Sequence, residues 1–172
     1  MATDWTTPKS DYLTGDLVSA AEMNNIGKNL GFLKDPPTAQ YTLNEGSDYT
    51  TTSTSFVDVD GGGTELELTI ETAGGDVLIG FVGAIGMGTN KDIYLDIDVD
   101  GARLGGSDGI AQAHDRVGTG SGTGIFPIGL CVLVENLTPG SHTFKLQWRV
   151  SAGTGTLYAV NSYGRFFARE VS

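Results

Sequence analysis

Gly105-Gly106-Ser107-Asp108-Gly109 has the spacing of a nucleophile elbow, a motif whose serine must sit on a sharp strand-to-helix turn with a histidine in reach. That context is missing. Arg103-Leu104 precedes it after a hairpin-like Asp100-Gly101, no helical pattern follows, and the chain offers only His114 and His142. The five residues therefore read as a glycine-rich turn, and no catalytic residue is expected. Asp96-Ile97-Asp98-Val99-Asp100-Gly101 imitates the start of a calcium loop, in which three carboxylates converge and a glycine bends the chain. Its twelfth position is Ser107 instead of glutamate, and Ile97 and Val99 continue a strand alternation. A solvated acidic strand is the favoured reading, with Asp96, Asp98 and Asp100 kept as weak cation candidates; Asp58-Val59-Asp60-Gly61 reads the same way.

Gly118-Thr119-Gly120-Ser121-Gly122-Thr123-Gly124 is rich enough in glycine for a phosphate cradle but lacks the Lys-Ser or Lys-Thr and the helix such a cradle needs, so a mobile loop is expected. His142 follows a turn and opens the register of Phe144 and Trp148, which suits a structural histidine. Two histidines and one cysteine make no zinc constellation, and no cofactor is expected.

The elements around these residues are mostly strands. Leu66, Leu68 and Ile70 alternate with charged or polar neighbours, as do Ile93, Leu95, Ile97 and Val99, and Phe144, Leu146, Trp148 and Val150. Leu157 to Val160 and Arg165 to Val171 add two more. With 26 glycines punctuating 172 residues, about seven or eight strands in a sandwich or jelly roll are expected. A formal charge of −11 without a basic stripe argues against a nucleic-acid partner. No apolar run approaches the ~18 residues that cross a bilayer, and no signal peptide is evident, so a soluble, unprocessed chain without membrane insertion is expected. Cys131 reads as a buried thiol.

The N-terminal segment is different. Trp5-Thr6-Thr7-Pro8 opens a polar arm, and Ser19 stands three residues before Glu22, as in a capping box. Met23, Ile26, Leu30 and Leu33 then follow at spacings of three, four and three, a narrow helical seam that ends before Pro36-Pro37. Such a helix is only about 20 Å long, and Gly27 and Gly31 each weaken it by ~1 kcal/mol, so it must dock on something. Residues 1–35 are read as an attachment arm and helix, 36–55 as an extended connector, and 56–172 as a β-sandwich knob. Within the knob, Val77 to Ile85 and Ile125 to Val134 are apolar on both faces, although an antiparallel sheet normally solvates one. Another copy of the chain is the economical cover, with Ile79, Phe81, Phe126, Ile128, Leu130 and Phe166 as candidate interface residues.

The leader Trp5-Thr6-Thr7-Pro8, with Gly15-Asp16-Leu17-Val18-Ser19-Ala20-Ala21-Glu22-Met23-Asn24 and Asn29-Leu30-Gly31-Phe32-Leu33-Lys34, resembles the N-terminal segments of tailed-bacteriophage virion proteins, of the minor tail or fibre kind. Leu95-Asp96-Ile97-Asp98-Val99-Asp100-Gly101 and Leu137 to Trp148 are similar to the jelly-roll knobs on such proteins, whose architecture is that of the trimeric C1q and tumour-necrosis-factor fold. The resemblance implies a mainly β homotrimer in the virion, assembled in the host cytoplasm, with other tail or capsid proteins as partners and no catalysis. It carries no site residue onto this chain. Two alternatives stand beside a tail or fibre component: a capsid decoration protein, and a carbohydrate- or receptor-binding module for host adsorption. Against the last, the segment between residues 101 and 124 holds no aromatic. Ser107→Ala is expected to leave melting temperature and any ester hydrolysis unchanged, because nothing activates the hydroxyl; hydrolysis present in the parent and lost in the variant would contradict this.

Overall fold

A computed structural model of the chain describes residues 17–88, 90–115, 124–161 and 164–171. One helix, α1 (Ala20–Lys34), precedes the strands β1 (Thr38–Thr42), β2 (Tyr49–Thr51), β3 (Val57–Asp58), β4 (Glu67–Thr72), β5 (Gly75–Met87) and β6 (Asp92–Val99). They are followed by β7 (Ala102–Arg103), β8 (Ala111–His114), β9 (Gly124–Leu137), β10 (Gly140–Val150), β11 (Gly155–Tyr158) and β12 (Arg165–Glu170). The capping box at the start of α1 is formed: Glu22 N–H donates to Ser19 Oγ at 3.2 Å, and Ser19 N–H to Glu22 Oε2 at 2.6 Å. Asp35 ends the helix, ahead of the two prolines.

The strands pair antiparallel into two sheets. In one, β1, β12, β5 and β9 lie in that order, with β2 and β11 continuing the sheet beside the second half of β5. In the other, β4, β10, β6 and β8 lie in order, extended by the short β3 and β7. If the eight principal strands are counted along the chain, the sheets run 1-8-3-6 and 2-7-4-5. That is the jelly-roll order, two Greek keys laid face to face.

Period-two alternation builds the core between the sheets. Phe144, Leu146, Trp148 and Val150 of β10 and Ile93, Leu95 and Ile97 of β6 face Val77, Ile79, Phe81 and Ile85 of β5, with Leu157, Phe166 and Ala168 beside them on the neighbouring strands, all buried. Asp100 and Gly101, at φ 53° and 90°, form the two-residue turn between β6 and β7, which needs positive φ at both positions.

The segment expected as a connector is part of the sandwich. β1 pairs with β12 along Thr38 to Thr42, Leu43 is fully buried in the core, and β2 pairs with β11. Its run of polar, β-branched residues carried no alternation, because edge strands bury only alternate side chains and here few of those are large. Phe144→Ala removes a fully buried ring and is expected to cost roughly 3–5 kcal/mol in chemical denaturation, whereas an equally small change at exposed Thr69 should cost under ~0.5 kcal/mol.

Candidate functional site

The three aspartates of the calcium-like motif do not form one acidic face. Asp96 is fully buried and Asp98 nearly so, because the segment from 101 to 110 folds back over the outer side of β6. Asp96 Oδ1 accepts from the Ile97 and Gly105 N–H groups at 2.8 and 2.9 Å, and its Oδ2 takes Arg103 Nη1 at 2.9 Å. Asp98 Oδ1 accepts from Gly101 N–H at 2.8 Å, bracing the turn. Asp100, in the turn, holds Thr143 N–H and His142. The solvated-strand reading is therefore corrected. The aspartates alternate as a wet face would, but each is tied to a different internal donor, and they do not converge on a shared cation position. Among the described residues, no three His, Cys, Asp or Glu group so as to hold a metal ion.

The elbow-like glycines serve this flap. A Cβ on Gly105 would lie 2.6 Å from the Gly109 carbonyl carbon and 2.8 Å from Asp96 Oδ1. One on Gly109, at φ 67°, would lie 2.4 Å from the Leu95 carbonyl oxygen. Only glycine permits the chain to lie this close to β6. Arg149 clamps the tip: its Nε and Nη2 donate to the Ser107 carbonyl at 3.2 and 2.8 Å, and Nη2 reaches Asp108 at 3.1 Å. The same guanidinium stacks 3.7 Å over Tyr94, and Arg103 sits 4.1 Å over Phe56. Ser107 is thus held through its carbonyl, while both histidines are engaged elsewhere. His114 Nδ1 lies 2.6 Å from Asp92 Oδ1, and His142 bridges Asp100 Oδ2 at 2.7 Å and the Thr138 carbonyl at 2.8 Å. The clamp by Arg103 and Arg149 was not foreseen from the sequence; its only local signal was Arg103 beside the glycine-rich turn, Arg149 lying forty residues away on β10.

Both ring nitrogens of His142 face acceptors, an arrangement that favours the imidazolium. Burial works against that charge, but the Asp100 and Thr138 hydrogen bonds and the Asp100 and Glu71 charges outweigh it and raise the His142 pKa above 6.5. Burial likewise opposes the Asp100 carboxylate, and the Thr143 N–H with the His142 hydrogen bond and charge outweigh it, lowering its pKa below 3.8. The structural reading of His142 fits this pairing, which ties the β6–β7 turn to the turn before β10.

Two other surfaces carry apolar side chains outward. On α1, Met23, Ile26, Leu30 and Leu33 are all exposed, 40–63 % of each side accessible. The neighbouring face, with Asn29 and Phe32, is the buried one. Phe32 and Leu33 line a cleft with Pro36, Leu78, Arg169, Glu170 and Val171, so the seam leads onto the end of the first sheet.

That sheet has the second surface. Ile79, Phe81, Ile128, Leu130 and Phe166 are buried in the chain's own core, and Phe126 packs against it. The candidate interface residues therefore point inward, a correction forced by alternation: the sequence showed two apolar faces but not which one the core would take. The outward set is Leu78, Val82 and Ala84 on β5, Ile125, Pro127, Gly129, Cys131 and Leu133 on β9, and Phe167 on β12. Cys131 is exposed, not the buried thiol expected. Of the adjacent phenylalanines, Phe167 is the outward one, its ring lying across Gly80, where a Cβ would meet it at 2.5 Å.

No protein-family model matches the chain, and no curated protein matches it. It is similar to solved structures from infectious bursal disease virus. A structure of the Gt strain shares 11 % identity over 77 % of this chain and 32 % of that chain, with a TM-score of 0.45. A structure of infectious bursal virus derived T=1 particles shares 12 % over 77 % and 31 %, at 0.43, and a VP2 subviral particle 15 % over 80 % and 37 %, at 0.33. The chain spans about a third of the length of those chains. The likeness is loose, and the jelly-roll assignment rests on the strand order itself. The N-terminal leader and most of the glycine-rich loop, residues 1–16 and 116–123, lie outside the described residues.

The His142–Asp100 pair sets a pH dependence. The raised His142 pKa makes its contribution full below ~6.5 and lost as pH rises through the folded value; the lowered Asp100 pKa makes its contribution full above ~3.8 and lost as pH falls through its own. The melting-temperature gap between the parent and His142→Gln should therefore be widest between about pH 4 and 6.5 and narrow in alkali. A gap that grows with rising pH would contradict the pairing.

Proposed function

We propose that this chain is a non-enzymatic structural component of a tailed-phage particle, of the tail or fibre kind, which plugs into the virion through its N-terminal segment and displays a homotrimeric jelly-roll knob. The observation that carries the reading is the exposed seam of α1. Four large apolar side chains in strict three-four-three spacing stand open to solvent on a helix too short and too rich in glycine to be stable for its own sake. A stripe this narrow is the pattern of a helix that meets another helix or a groove. The resemblance of the leader to phage virion proteins supplies the particle as the partner. The sandwich supplies a body for display, with the 101–110 segment clamped by Arg149 and Asp96.

The partners are then other virion proteins and further copies of this chain, and the place of action is the virion, assembled in the host cytoplasm. No described helix is long and apolar enough to cross a membrane, so the attachment proposed is to protein. Leu30→Asp tests the reading. Leu30 is 61 % exposed, so the fold should lose less than ~0.5 kcal/mol, while recovery in purified particles should fall by about tenfold or more, because a charge enters an apolar contact. Deleting residues 1–35 should have the same consequence and leave a folded β body, since β1 begins at Thr38. Variants that decorate particles as the parent does would move attachment to the knob and favour a capsid decoration protein.

A further inference from the structure

The outward face of the first sheet has a chemical polarity that the attachment reading does not use. Its centre is apolar: Val82, Ile125 and Leu133 are 55, 63 and 43 % exposed, and Pro127, Gly129 and Cys131 stand between them. The register fixes the flanks. Arg165 and Arg169 of β12 lie beside Val82 and Leu78 of β5, which lie beside Gly129 and Leu133 of β9. One flank therefore carries two exposed arginines, and the opposite flank carries Glu135, exposed and two residues beyond Leu133. Among the described residues, none of these three makes an ion pair, although Arg103, Lys145 and Arg149 all do. Both arginines share this face with their acidic complement, Glu135.

The edge points the same way. β9 pairs with β5 on one side along nearly its whole length and with no described strand on the other. In its fourteen residues, Glu135 is the only charge and Pro127 the only proline. Long apolar edges are ordinarily blunted by charge, proline or a bulge. A face whose basic flank matches its own acidic flank fits a head-to-tail contact, in which each copy offers one side and receives the other.

We propose that this face is where a second copy of the chain docks, the Val82–Ile125–Leu133 surface forming the dry centre and Glu135 of one copy meeting Arg165 and Arg169 of the next. The proposal rests on the oligomeric knob read above, and the site it names is the outward partner of the core face.

Sedimentation velocity of the full-length protein over a micromolar range tests it, with circular dichroism and thermal melting as controls of the fold. Val82→Glu should raise the dissociation constant roughly a hundredfold or more, as an unpaired buried charge does, and Leu133→Lys should do likewise. Arg169→Glu and Glu135→Arg should each weaken assembly about fivefold, the scale of a rim ion pair lost and turned repulsive, and the double exchange should return to within about twofold of the parent. An oligomer unaffected by Val82→Glu and Leu133→Lys but dissociated by Leu30→Asp would overturn this face while leaving the oligomeric reading intact. A parent monomeric throughout would overturn both. Single charge variants that weaken assembly without recovery in the double exchange would overturn the Glu135 pairing.

Discussion

In a paired β ladder, a side chain committed to one face commits both its neighbours to the other. Everything distinctive about this protein follows from applying that constraint to β5 and β9. Their sequences are apolar at nearly every position, so whichever set enters the core leaves an apolar set outside. The core takes Val77, Ile79, Phe81, Ile85, Ile128 and Leu130, which interlock with Phe144, Leu146 and Trp148 from the facing sheet. Leu78, Val82, Ile125 and Leu133 are left facing outward; Leu78 is half-buried beside the end of α1, and the other three stay exposed among the described residues. A surface of this kind is a poor choice for a solitary soluble domain and a good one for an assembling unit.

The opposite sheet obeys the same alternation with a different outcome. Its outer set is polar, yet β6 is buried on both sides because the segment after the Asp100-Gly101 turn folds over it. Asp96 can be buried only because Gly105 N–H, Ile97 N–H and Arg103 satisfy it; without them a buried carboxylate would cost several kcal/mol. A motif with the look of a cation loop and another with the look of a nucleophile elbow are thus two halves of one structural clasp. Polar residues gathered near a turn served the backbone rather than a ligand.

How far the sequence could be read depended on whether a local pattern had one physical solution. The capping box of Ser19 and Glu22, the inward register of Phe144, Leu146, Trp148 and Val150, and the turn at Asp100-Gly101 each had one, and the structure has them. Runs with two solutions were not decided by sequence. Nothing local distinguishes Ile79 from Leu78, or Phe166 from Phe167, as the core residue; packing against the second sheet decides. Nor does the string from Pro36 to Ser55 announce strands, because β1 and β2 are edge pairs anchored chiefly by Leu43 and by partners more than a hundred residues away. The fold of Arg103 and Arg149 over Phe56 and Tyr94 is likewise tertiary, joining residues far apart in sequence.

The central claim is that the outward apolar face is covered in the working protein. Cys131, the chain's single cysteine, stands in the middle of that face and is exposed in the isolated chain, so its alkylation rate reports directly on cover. The account predicts slow alkylation at micromolar protein and a steep rise on dilution as copies separate. A rate that is fast and independent of concentration, in protein shown to be folded, would contradict it.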